Sequence, residues 1–187
     1  MSFFNLHIEM LKKIVGISIY VLLKNLSFRF LLPDRYSGPI ETLRTYGLVL
    51  QGAKIGAGTV VRSNVFVAYP CNLVLGKNVT IGSDSKIFNY ENFFVGDNTE
   101  IGPGLHVQTN DHYWDDGALP LGKQGAYLKP VSIGDGVFIG ANVTILRGVN
   151  IESLSIVGAC SLVVKDLNKG FVYAGVPAKK ISIIKQL

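Results

Sequence analysis

The chain carries three histidines, the side-chain type that titrates near neutrality, and one of them stands among polar groups that suit proton transfer. His112 lies in Thr109-Asn110-Asp111-His112-Tyr113-Trp114-Asp115-Asp116, a stretch with the only tryptophan. An imidazole there can accept the proton of a hydroxyl while the oxygen attacks a carbonyl. Asp111, Asp115 and Asp116 could orient the ring or bind hydroxyls, or they are solvated carboxylates. Tyr113 and Trp114 could stack on a flat ligand, or pack the stretch against its own chain. His7 lies in a different kind of segment, near the N-terminus. His106 precedes Val107, and alternation turns it outward, toward a subunit interface. The stretch holds no cysteine and no Gly-x-Ser-x-Gly elbow, which favours direct transfer over a covalent intermediate. Cys71 and Cys160 have no metal-type spacing, exclude a disulfide scaffold and fit a reducing compartment.

The elements that must hold such residues repeat with a period of six. The aliphatic series runs Val49, Ile55, Val61, Val67, then, after a two-residue slip, Leu75, Ile81, Ile87. A second slip leads to Val95, Ile101, Val107, and the register resumes at Ile133, Ile139, Ile145, Ile151, Val157, Val163. Three residues after most of these stands a Gly, Asn or Asp, the types that tolerate a left-handed backbone. Each hexad therefore reads as a short strand and a corner. A helical period does not yield a strict six. Three hexads close one triangular coil of a parallel β-helix, and coils stack at about 4.8 Å. The break from about Gln108 to Val131 is an insertion; one this long in a compact domain is usually functional or disordered, and its aromatic content favours an ordered loop.

The chain has 187 residues, 48% hydrophobic and 17% charged, which favours one domain with an appendage and excludes disorder. The repeat region is assigned to 47–187, with a loop insertion at 108–132, and 1–46 to a helical segment. In that segment Lys12 and Lys13 precede an apolar run from Ile14 to Leu23, and Lys24 and Arg29 break the apolar character beyond it. The run is too short to span a bilayer, and no small-x-small cleavage site comes after it. One or two amphipathic helices stopped near Pro33 are expected. They cap the open end of the coils, pack on a neighbouring subunit, or lie on a membrane surface. The net charge of +5 is a mild bias toward anionic partners. The basic residues cluster at the two ends without aromatic interleaving, which disfavours nucleic acid. The lysine-rich end, 164–187, is expected to return over the last coils as an irregular stretch and a helix.

The stretches IGAGTV, IGDGVFIGANVTI and GVPAKKI resemble the hexapeptide-repeat acyltransferases, over roughly residues 47 to 182. The pattern is most similar to the sugar O-acetyltransferases of the galactoside, maltose and surface-polysaccharide type. The resemblance implies a left-handed parallel β-helix and a homotrimer with each active site between two subunits. It also implies acetyl-CoA as cosubstrate, no metal, a sugar or glycan acceptor and a cytoplasmic site, at the inner face of the cytoplasmic membrane if the N-terminal helices bind lipid. Carried over residue by residue, His112 is the general base, and a backbone N–H near Gly140 receives the oxyanion. Gly140, Ala141 and Ala159 let the pantetheine arm approach the backbone, although repeat geometry also favours small residues there. Lys165, Lys179 and Lys180 match basic positions near the CoA phosphates, or are solvated charges. Val164 and Ser182 depart from the Thr and Arg of some relatives. Asn89, Asp111 and Trp114 are the expected acceptor contacts.

Two other functions are compatible with the repeats. A γ-class carbonic anhydrase would need three zinc-binding histidines, and here the third would have to be His7, outside the coils. A non-catalytic scaffold would have no affinity for CoA.

Overall fold

The computed structural model describes residues 3–23, 34–113, 123 and 125–184. Helices α1 (Phe3–Leu23) and α2 (Asp34–Leu50) precede five three-stranded coils. β1 (Lys54–Ile55), β2 (Val60–Val61) and β3 (Phe66–Val67) make the first coil. β4 (Leu73–Leu75), β5 (Thr80–Ile81) and β6 (Lys86–Phe88) make the second, and β7 (Phe93–Val95), β8 (Glu100–Ile101) and β9 (His106–Gln108) the third. The hairpin β10 (Asn110–His112) and β11 (Ala126–Leu128) then leaves the stack. β12 (Val131–Ile133), β13 (Phe138–Ile139) and β14 (Thr144–Ile145) form the fourth coil, and β15 (Asn150–Ile151), β16 (Ile156–Val157) and β17 (Leu162–Val163) the fifth. β18 (Phe171–Ala174) extends one sheet, and β19 (Lys179–Ile183) pairs with it antiparallel.

Stacking gives three parallel faces. The first is β1-β4-β7-β12-β15, the second β2-β5-β8-β13-β16-β18 with β19 at its end, the third β3-β6-β9-β14-β17. The core is the column of hexad aliphatics, in register from coil to coil: Ile81 pairs with Ile101, Ile101 with Ile139, and Ile139 with Val157. From Val61 to Val163 every aliphatic of the six-residue series is buried. The corners turn through positive φ at Gly58, Asn64, Asn78, Asp84, Asn98, Gly104, Gly136, Asn142 and Gly148. Leu154 (φ 57°) and Cys160 (φ 59°) occupy the same corner positions, so the period imposes the conformation even on residues that disfavour it.

Three expectations are corrected. Val49 is not a hexad residue but an exposed position in the last turn of α2. Asn110 and Asp166 show no positive φ; Asn110 opens the hairpin, and Asp166 caps the backbone N–H of Asn150 at 2.8 Å. The described C-terminal residues form β18 and β19, not a helix. The Lys-Ile-Ser-Ile alternation suits a strand, and β18 covers an edge of β16 that a helix would leave bare.

The opposite edge is covered by α2. β2 ends the second face, and α2 satisfies it with side chains. The Arg44 Nη1–H donates to the Val61 carbonyl (3.2 Å), and Thr45 Oγ1 accepts from the Val61 N–H (3.0 Å). Burial pulls the Arg44 guanidinium below the usual arginine range. Helix α1 lies on α2 where Gly16 meets Gly47; a Cβ at Gly16 would stand 2.6 Å from the Cβ of Leu50. The Tyr20 hydroxyl donates to the Val65 carbonyl.

Candidate active site

The three corners of the prism differ. The corner from the third face to the first is the irregular one. Its first turn is a short 3-10 segment at Pro70–Asn72, its second spans residues 89–92, and its third opens into the hairpin. These are the two slips and the insertion of the hexad register. The hairpin strands pair Asn110 with Leu128, Asp111 with Tyr127 and His112 with Ala126. Their base is closed by the Lys129 N–H on the Thr109 carbonyl (2.9 Å) and the Thr109 N–H on the Phe88 carbonyl (3.2 Å).

His112 is exposed at the outer end of β10, and its N–H donates to Asp111 Oδ1 at 2.9 Å. Asp111 Oδ2 lies 3.5 Å from the Nε of Arg147, which belongs to the same corner one coil further on. The Arg147 guanidinium stands 5.2 Å from the centre of the Tyr127 ring, and Tyr127 meets Tyr113 edge-on at 4.0 Å. One arginine thus ties both hairpin strands to the fourth coil. Gln108, Asn110, Asp111, Leu146, Arg147 and Val164 line a cleft of about 360 Å³ along this corner. Arg147 Nε, a donor, and Asn110 Oδ1, an acceptor, are buried there without a hydrogen-bond partner among the described residues. Both atoms lie beneath the surface of the cleft, and the Arg147 Nε faces the Asp111 carboxylate in the ion pair rather than a ligand.

The expected residues fall into separate groups. Asp111 lines the cleft, His112 follows it in β10 without being one of the lining residues, and Lys165, exposed, comes directly after the lining residue Val164. Gly140, Ala141 and Ala159 lie on a different corner, between the second and third faces. Gly140 is buried, and a Cβ on it would meet the Ala159 N at 2.5 Å, so the stack itself requires this glycine. Its N–H is committed to the Val157 carbonyl (2.8 Å) and offers nothing to an oxyanion. The neighbouring N–H of Ala141 has no acceptor among the described residues, and the Ala159 side chain is exposed. Lys179 and Lys180 are exposed on β19, with the Lys180 ammonium 3.2 Å from the centre of the Phe171 ring. Asn89 is fully buried, and its amide is held by both backbone groups of Tyr69, at 3.0 and 2.7 Å. A side chain so placed shapes the corner and does not reach a sugar. Trp114, Asp115 and Asp116 lie outside the described residues.

Sequence reasoning passed over Arg147 and Asn110. The available signal was a lone charge in Leu146-Arg147-Gly148, a corner that otherwise carries aliphatic and glycine residues. His106 faces outward, half-buried, with its ring 5.3 Å from that of Phe88 and its Nε2 3.2 Å from Gln108 Oε1. Among the described residues no group of three His, Cys, Asp or Glu could hold a metal ion.

Residues 130–165 match the family described as bacterial transferase hexapeptide (six repeats). The chain is 30% identical to the galactoside O-acetyltransferase of Escherichia coli (strain K12), over 84% of this chain and 75% of that one. It is 30% identical to the protein of the same organism named for colanic acid biosynthesis, the acetyltransferase WcaF, over 72% of this chain and 71% of the relative. Among solved structures, a maltose O-acetyltransferase from Clostridium difficile 630 superposes with a TM-score of 0.75 at 26% identity, covering 96% and 89% of the two chains. An acetyltransferase from Vibrio cholerae, crystallised with acetyl-CoA, shares the fold with the same TM-score at 21% identity, over 95% and 89%. With the coil stack, the corner hairpin and these relatives together, the chain belongs to the hexapeptide-repeat acyltransferases, in the branch of the sugar O-acetyltransferases.

Proposed function

We propose that the protein moves an acetyl group from acetyl-CoA to a hydroxyl of a sugar, with His112 as the general base. The observation that carries this is an exposed imidazole on a hairpin tethered by Arg147, directly after Asp111, a lining residue of the corner cleft. The hydroxyl gives its proton to the ring as its oxygen adds to the thioester carbonyl. The developing oxyanion takes a hydrogen bond from the Ala141 N–H, in place of the Gly140 N–H that the ladder consumes. Collapse breaks the C–S bond, and the imidazolium returns its proton to the leaving sulfur, so the thiol departs with no acyl-enzyme. Ala159 leaves room for the pantetheine arm, and the exposed Lys165 and Lys179 face its phosphates as point charges, joined by Lys180 once its ammonium leaves the Phe171 ring.

His112 and Ala141 stand on different corners of one prism, so one chain alone does not join base and oxyanion donor. A ring of three prisms would bring the hairpin corner of one against the Ala141 corner of the next, and we infer a homotrimer with shared sites. The relative named for colanic acid biosynthesis supports an acceptor that is a precursor of a bacterial surface polysaccharide. A panel of sugars and glycan precursors incubated with acetyl-CoA tests the reading. Thiol release matched by an acetylated sugar in the mass spectrum is expected. Thiol release at the same rate without any acceptor would show a hydrolase instead.

A further inference from the structure

The first helix holds an apolar surface that the coils do not use. α1 contacts the rest of the chain along one line, at buried Gly16 and Tyr20. At about 100° per residue, the remaining residues can be placed around the axis from Gly16. Ile17, Met10, Val21, Ile14, Leu11, Leu22, Val15 and Ile8 then fill an arc of about 180°, interrupted only by Ser18. All eight are exposed, from 38% at Ile8 to 74% at Leu22. The charged residues Glu9, Lys12 and Lys13 all fall on the other half. Lys13 stands just beyond Ile17 at one rim and Lys12 just beyond Ile8 at the other, and Glu9 lies between them, paired with Lys12 at 2.9 Å.

We propose that α1 lies flat in a lipid surface carrying anionic headgroups. The width of the arc decides between occupants. A seam against one neighbouring helix is narrower than the stripe of about 100° by which a helix faces a core, and α1 already uses its narrow Gly16–Tyr20 face on α2. A further half-circumference of aliphatic side chains fits a broad fluid phase better than a second copy's ridge. The two lysines at the rims are where ammonium groups reach headgroups while their stems stay in the apolar layer. No helix among the described residues is long and apolar enough to cross a membrane, so α1 lies on the surface. α1 also sits at the end of the coil stack beyond α2. In a ring of parallel prisms three copies would face one plane and bind it together.

The test uses the full chain and vesicles of phosphatidylcholine alone or with a third phosphatidylglycerol. The chain is expected to float with the mixed vesicles, and Leu11→Glu with Ile14→Glu to lower the bound fraction at least tenfold. Lys12→Glu with Lys13→Glu is expected to weaken binding to the mixed vesicles and leave any binding to neutral ones unchanged. Acetyl transfer to a soluble sugar should be unaffected in both, so a failure of the catalytic reading shows separately. Wild-type protein that stays in solution with both vesicles overturns the proposal, as does a Leu11→Glu, Ile14→Glu variant that floats like wild type. An assembly larger than a trimer that this variant dissolves would assign the face to a second copy, and overturns it too.

Discussion

An imidazole that is to act as a base must be held while its free nitrogen stays open to ligand. For His112, the proposed base, the holding is indirect: Asp111 takes its backbone N–H, and Arg147 approaches the other oxygen of that carboxylate and the Tyr127 ring. Each contact is partly exposed and individually worth little. Their combined effect is to fix where the hairpin stands over the cleft. Arg147→Ala is therefore expected to lower kcat about tenfold while leaving the melting temperature almost unchanged. Arg147→Lys should restore only part, because an ammonium has one point of charge where the guanidinium has a planar fork. Steady-state kinetics beside a thermal melt checks both, and an unchanged kcat in Arg147→Ala would remove it as a positioning residue. The place of His112 on an exposed hairpin was legible in the sequence because it opens the only long break in the hexads. Arg147 was not, because its partners Asp111 and Tyr127 are distant in sequence and meet it only once coils stack. Gly140 shows the opposite difficulty. Its small size is a true signal, but the stacked backbone of Ala159 explains it as fully as a ligand would.

At the scale of elements, the six-residue aliphatic series announced the strands, and the slips announced the irregular corner. Neither showed where the helices end, since Val49 falls in register by chance while belonging to α2. The helical cap carries its own pH signature. Burial raises the Tyr20 hydroxyl above its usual value of 10.0. A raised folded-state value means the folded chain keeps a proton that the unfolded chain loses above about pH 10. Stability from this group is therefore complete below about pH 10 and is lost progressively as pH rises toward the folded value. Urea midpoints measured at pH 9 and pH 11 should fall more for the wild type than for Tyr20→Phe. Equal drops in the two proteins would show that the hydroxyl is not buried as described.

For the whole molecule, the repeat sets a uniform prism, and in the proposed trimer its chemistry depends on how copies meet. The fold class was readable from one chain because the core is a one-dimensional column of aliphatics. The proposed site was only half readable, because the residues assigned to it lie on separate corners of one chain. Mixing inactive chains tests the shared site. His112→Ala removes the base, and Ala159→Trp, at an exposed position, blocks the arm of the donor. Each alone should be inactive. Co-folded in equal amounts, they should regain about a quarter of wild-type activity, since one in four subunit junctions then joins an intact base to an intact groove. No recovery would mean that base and groove belong to one chain.

The most direct measurement is the turnover of acetyl-CoA by His112→Ala with an accepted sugar, beside its affinity for the donor. The account predicts a kcat lower by about 10² to 10⁴, with donor binding within twofold of wild type. A kcat equal to that of the wild type would contradict it.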